Sequence, residues 1–116
     1  MSDPDCLFCK FIAGEIETDV VFETDEVFAF RDINPQAPTH ILIIPRKHFA
    51  TVNELSEADA ETVGKLYLVA KELAREEGFS EEGYRLVMNC NAAAGQTVFH
   101  LHLHLLGGRE FTWPPG

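Results

Sequence analysis

The spacing of apolar positions along the chain changes several times, and each change marks an element. Cys6 to Gly14 is apolar and closed by glycine, which suits a helix of about two turns ending near Gly14. Val20-Val21-Phe22 and Val27-Phe28-Ala29-Phe30 flank a turn at Thr24-Asp25 and predict a hairpin. Asp32 to Pro38 holds two prolines and several turn formers, a loop into the apolar strand His40 to Pro45. Ser56-Glu57-Ala58-Asp59 is a capping-box pattern. Val63, Leu66, Tyr67, Ala70, Leu73 and Ala74 then recur at helical spacing until Gly78, predicting one long amphipathic helix. Tyr84 to Met88 and Phe99 to Leu106 predict two more strands, joined by a loop of small residues from Asn89 to Gln96. The order predicts an α+β chain, with an antiparallel sheet of about five strands, one long helix and one short one.

Composition narrows the class. With 116 residues, 46% of them hydrophobic, the chain suits one domain over residues 1–116 with one core. Its formal charge of −10 repels phosphate backbones and anionic membranes, so neither nucleic acid nor membrane is an expected partner. A small anionic ligand remains possible where amides and imidazoles converge at close range. The acidic opening Met1-Ser2-Asp3-Pro4-Asp5 resembles no export signal, and no apolar run approaches the roughly 18 residues of a membrane span. Three cysteines do not make a secreted disulfide framework, so the expected location is the cytoplasm.

The chemistry concentrates in His100-Leu101-His102-Leu103-His104-Leu105. On a strand this strict alternation turns three imidazoles to one side and three leucines to the other. Such a row suits either a metal held by imidazoles or phosphorus chemistry in which one ring attacks while others manage charge and protons. The preceding loop favours the second, because Asn89, Ala92-Ala93-Ala94-Gly95 and Gln96-Thr97 offer exposed amides and short polar groups to a phosphate. Gly107-Gly108 then lets the chain turn past the site.

Gln96-Thr97-Val98-Phe99-His100-Leu101-His102-Leu103-His104-Leu105-Leu106-Gly107-Gly108 resembles the signature of the histidine triad proteins. Asp32-Ile33-Asn34-Pro35-Gln36-Ala37-Pro38-Thr39-His40 resembles the same family, and the ending Trp113-Pro114-Pro115-Gly116 resembles its Hint branch. The resemblance implies a histidine-triad fold and a homodimer binding purine nucleoside monophosphate derivatives such as AMP conjugates. It implies that His102 attacks the α-phosphate to form a nucleotidyl-imidazole, which water hydrolyses. His104 would then donate to the phosphoryl oxygens, with Asn89, Gly95, Gln96 and Thr97 near the phosphate, and Asp32 on the ribose hydroxyls. It places His40 beside the triad, where it can pass a proton, and places Leu7, Phe8, Phe11 and Ile33 around the base. Read as residues alone, His40 is a buried strand histidine and the apolar four are core.

Cys6-Leu7-Phe8-Cys9 resembles bacterial members and uridylyltransferase relatives, in which such a pair binds zinc with two histidines. The matching residues are His48 and His100, a Cys₂His₂ set suited to a closed structural zinc. If zinc is held, His100 braces the nucleophile's strand rather than relaying protons. Two alternatives stand beside zinc, a buried pair of apolar thiols and a thioredoxin-like redox pair; the polar residues before Cys6 argue against the latter.

The function expected is therefore purine nucleoside phosphoramidase. The competing readings are a dinucleoside polyphosphate hydrolase or nucleotidyl transferase, a hydrolase with catalytic zinc on the three triad histidines, and a nucleotide-binding regulatory module.

Overall fold

The computed structural model describes residues 3–116; Met1 and Ser2, which open the acidic N-terminus, lie outside the described residues. Five strands form one antiparallel sheet: β1 (Val20–Glu23), β2 (Val27–Arg31), β3 (Thr39–Pro45), β4 (Arg85–Val87) and β5 (Leu103–Gly107), in the order β1-β2-β3-β5-β4. Alternation along the central strands divides the core in two. Val27, Ala29, Ile41, Ile43, Leu103 and Leu105 face Leu66, Ala70, Leu73 and Ala74 of the long helix α2 (Ala60–Glu77). Phe28, Phe30, Leu42 and Ile44 point the other way, onto Cys6, Phe8 and Cys9 at the short helix α1 (Leu7–Ile12). The site is built on this second face.

The local signals account for the boundaries. Thr24 turns the first hairpin by accepting the Glu26 and Val27 amides on its hydroxyl at 3.2 and 3.1 Å. Asp59 accepts the Ser56 amide at 2.9 Å, but the box closes a single 3-10 turn, Glu57–Asp59, and α2 begins just after it. Gly78 ends α2 in the left-handed region at φ 92°, where glycine carries no steric cost.

The structure corrects the length of the last strand. Expected from Phe99, it pairs only from Leu103. Continuing the observed register, Ile43 opposite Leu103, would set Leu101 against Pro45, which has no amide to donate. The Leu101 amide instead donates to Phe49 O at 2.7 Å. Residues 99–102 therefore leave the ladder yet keep its alternation. Leu101 stays in the α2-side core, while His100 and His102 lie against Phe8 of α1.

Candidate active site and metal cluster

Fixed backbone groups decide where each imidazole carries its proton, since a carbonyl can only accept and an amide can only donate. His102 Nδ1 lies 2.7 Å from His100 O, so Nδ1 bears the proton and the Nε2 lone pair is free. Burial pushes the His102 imidazole below its ordinary value, which keeps the ring neutral at pH 7. Phe8 meets it edge-on at 5.2 Å between centroids and fixes the ring plane.

The same logic orders the pair beside it. The Gln36 amide donates to His40 Nδ1 at 3.0 Å, so the proton of neutral His40 sits on Nε2. That Nε2 lies 2.9 Å from His104 Nδ1, which must therefore accept, leaving the His104 proton on Nε2. Among the described residues His104 Nε2 is buried without a partner, and its ring centroid lies 4.9 Å from that of His102. Burial, then the neighbouring His102 and His40, push His104 down to about 4. Burial also lowers His40, against the opposing pull of Asp32, whose carboxylate lies 3.6 Å away.

Asp32, His40 and His104 bring potential metal donors together, but their hydrogen bonds argue against a cation there. Coordination through His40 Nε2 would move its proton to Nδ1, against the Gln36 N–H. The hydrogen-bonded chain runs instead from the Gln36 amide through His40 to His104, with the Asp32 carboxylate 3.6 Å from His40 Nε2.

The second cluster has the opposite character. Cys6 Sγ and Cys9 Sγ stand 3.4 and 3.5 Å from His100 Nδ1, Cys9 Sγ is 3.4 Å from His48 Nδ1, and the two Nδ1 atoms are 3.1 Å apart. His100 Nε2 donates to Pro45 O at 2.8 Å, so its Nδ1 is a bare lone pair facing the cluster. Asp3 lies 3.8 Å from His48 Nε2 and favours the proton there, which leaves His48 Nδ1 bare as well. Tetrahedral zinc at ordinary bond lengths sets N···N and S···N separations of about 3.3–3.6 Å, close to those found. Burial pushes the Cys6 thiol up to about 11 and the His100 imidazole down to about 4. These four residues could hold a metal, and their donor set fits zinc.

The other expected residues fall unevenly. Gln96 is buried, and both amide protons are taken, by Ala50 O at 2.9 Å and Val98 O at 3.1 Å, while its oxygen accepts the Asn91 amide. It braces the loop, and aiming it at a phosphate would break those bonds. Asn89 is half-buried, Gly95 closes the loop at φ 89°, and Thr97 is exposed. Phe8 is buried and stacks with Phe11 at 5.9 Å beneath His102, whereas Leu7 and Ile33 face solvent, Ile33 at 95% exposure. Two groups escaped sequence reasoning: the Gln36 amide, a backbone donor with no residue-type signal, and Pro45 O, which sets the His100 tautomer. A cavity of about 670 Å³ lies elsewhere, beside Phe79, Tyr84, Arg85, Arg109 and Phe111.

An antiparallel sheet bearing a buried neutral imidazole, with a second imidazole N–H beside it, defines a histidine-based group-transfer scaffold. The HIT domain matches residues 13–111, and the chain belongs to that family. It is 52% identical over 103 residues to the purine nucleoside phosphoramidase of Escherichia coli (strain K12), covering 89% of this chain and 87% of that one. It is 48% identical over 118 residues to the 14 kDa zinc-binding protein of Zea mays, covering 100% and 91% of the two chains. A solved HIT family hydrolase from Legionella pneumophila Philadelphia 1 superposes with a TM-score of 0.95 at 59% identity, covering 97% of this chain and 100% of that chain.

Proposed function

We propose that this chain is a purine nucleoside phosphoramidase, which splits the P–N bond of AMP–amine conjugates by nucleophilic catalysis at His102. The observation that carries the reading is the 2.7 Å bond from His102 Nδ1 to His100 O, which leaves a neutral ring's Nε2 lone pair free. Nε2 attacks the α-phosphorus, and the P–N electron pair leaves with the amine, which takes a proton from water. The remaining water oxygen then displaces the imidazole and releases AMP. His104 Nε2–H donates to the phosphoryl oxygen as charge builds there. His40 keeps the His104 proton in place rather than relaying it, since surrendering the His104 proton would leave an anionic ring at pH 7. Asp32 is assigned to the ribose, Asn89, Gly95 and Thr97 to the phosphate side, and Phe8 and Phe11 to the bed under the nucleophile.

Cys6, Cys9, His48 and His100 are assigned to a structural zinc, supported by the two opposed lone pairs and by similarity to the Zea mays protein. Bound there, zinc supplies charge and cross-linking, and His100 braces the nucleophile through its own carbonyl. One catalytic domain over residues 1–116, a cytoplasmic location and a homodimer complete the proposal. The short edge strand β4 and the exposed Tyr67 and Leu68 on α2 favour the dimer. Among the described residues no helix is long and apolar enough to cross a membrane.

Intact-protein mass spectrometry after rapid quench with an adenosine phosphoramidate tests the central step. An adenylyl adduct is expected on the wild type and not on His102→Ala, whose kcat falls by about 10⁴ or more. Normal turnover by His102→Ala would sink the reading. Faster cleavage of diadenosine polyphosphate than of the phosphoramidate would replace it with the dinucleotide hydrolase. Elution as a single subunit at micromolar concentration would refute the dimer.

A further inference from the structure

The loop between β2 and β3 presents two groups to His40, the Gln36 amide and the Asp32 carboxylate. It is closed on itself by Asn34 N–H to Asp32 Oδ1 at 2.8 Å, Gln36 Nε2 to Asn34 O at 3.0 Å, and Asp32 N–H to His40 O at 2.9 Å. Its outer side is exposed, and beyond its bonds to His40 it has a tie from 73 residues away in sequence. Arg109 Nε donates to Gln36 O at 3.1 Å and Nη1 donates to Glu110 O at 2.9 Å. The guanidinium carbon lies 4.2 Å from the Phe111 ring centroid. Just before it, Gly108 holds φ 92°, and a Cβ there would come within 3.0 Å of Pro38 Cβ. The turn after β5 and the loop before β3 thus fit together without slack.

An exposed arginine in a chain with nineteen acidic residues would ordinarily be expected to meet carboxylates. The hydrogen bonds of this one go to two backbone carbonyls and its flat face to a ring, an arrangement that uses the planar fork rather than the charge. We propose that Arg109 is a positioning residue for the histidine site: it holds Gln36 so that its amide stays on His40 Nδ1, which fixes the protons on His40 Nε2 and His104 Nε2. This rests on the donor role proposed for His104. When the Gln36 amide moves away, His40 is free to carry its proton on Nδ1. His104 must then protonate Nδ1 toward His40, and its Nε2 turns a lone pair, instead of an N–H, to the phosphoryl oxygen. Arg109 touches no substrate, and its effect passes through Gln36 and His40.

The test uses the full chain carrying Arg109→Gln or Arg109→Lys, alone and combined with His40→Phe. Without substrate, amide hydrogen exchange of Gln36 is expected to rise about tenfold in both Arg109 variants, and the His40 ring ¹⁵N shifts to move toward a tautomer mixture. With an adenosine phosphoramidate, kcat is expected to fall about 3–10-fold, the effect of one neutral hydrogen bond on a two-state population, with KM changed less than about twofold. In the His40→Phe background, Arg109→Gln should change kcat by less than about twofold, because the chain it acts through is gone. Unchanged Gln36 exchange would overturn the proposal, and so would a full multiplicative loss in the His40→Phe background. Wild-type kcat in Arg109→Lys despite a deprotected Gln36 amide would assign the effect to charge and overturn it as well. The exchange and ¹⁵N readings need no substrate, so they are separate from an inert wild type, which would refute the phosphoramidase reading instead.

Discussion

Two pairs of imidazoles meet at hydrogen-bond distance in this protein, and they call for opposite partners. His48 and His100 bring Nδ1 atoms to 3.1 Å, while His40 Nε2 and His104 Nδ1 lie 2.9 Å apart. The distances barely differ; the far nitrogens do. His100 Nε2 faces the Pro45 carbonyl and His48 Nε2 faces the Asp3 carboxylate, so both far nitrogens keep the protons and two lone pairs oppose each other across the gap. His40 Nδ1 faces the Gln36 amide, so its proton is driven into the gap and the pair satisfies itself. One pair is suited to a cation and the other disfavours one, and in each case backbone or carboxylate groups outside the pair decide which.

Cutting the metal end should produce the largest effect. Cys9→Ser is expected to weaken zinc affinity more than about 100-fold and lower the melting temperature. It should also reduce kcat about tenfold, because His100, whose carbonyl orients His102, loses its anchor. Zinc analysis, thermal melts and steady-state kinetics on one preparation read all three. A zinc-free Cys9→Ser protein with wild-type melting and turnover would break the link between the cluster and the nucleophile.

The other end should respond in the complementary way. His40→Phe removes the buried partner of His104 without touching a residue of the proposed zinc cluster, so zinc binding should match that measured for the wild type. Turnover should fall about 10–100-fold as the His104 N–H loses its fixed direction. If zinc were lost from His40→Phe and retained by Cys9→Ser, the two pairs would have been assigned the wrong way round.

How much of this the sequence could show depends on the range over which each feature is decided. α2 and the first hairpin were legible because their signals, a helical repeat ending at Gly78 and a turn at Thr24, lie within a few residues. The alternation of His100, His102 and His104 was equally legible, because extended backbone keeps it even where the strand ladder stops. The stop itself was not, since it follows from Pro45 across the sheet and from the carbonyl of Phe49. The side-chain bonds of Gln96 were hidden for the same reason: its acceptor Ala50 O lies 46 residues away, and residue type alone says only that an amide is present. Family resemblance brought His40 and His48 to the site, but their tautomers come from Gln36, His104 and Asp3, which only the fold brings near them.

The smallest effect concerns pH and isolates the self-satisfied pair. An unfolded His104 takes a proton near 6.5, whereas the folded ring stays neutral down to about 4 because burial and its histidine neighbours oppose the charge. Above pH 6.5 the group is neutral in both states and contributes no pH dependence. As pH falls from 6.5 toward 4 the unfolded chain gains a proton that the folded chain refuses, so stability drops across that window and levels off below it. In zinc-loaded protein, urea unfolding at pH 7 and pH 4.5 should therefore show a smaller loss for His104→Gln than for the wild type. The difference should be about 2 kcal/mol at most, given the partial exposure of the ring. Equal losses in the two proteins would mean that His104 accepts its proton inside the fold. The His40–His104 pair would then be a cationic one at mildly acidic pH, and the contrast with the metal-seeking pair would have to be redrawn around charge rather than tautomer.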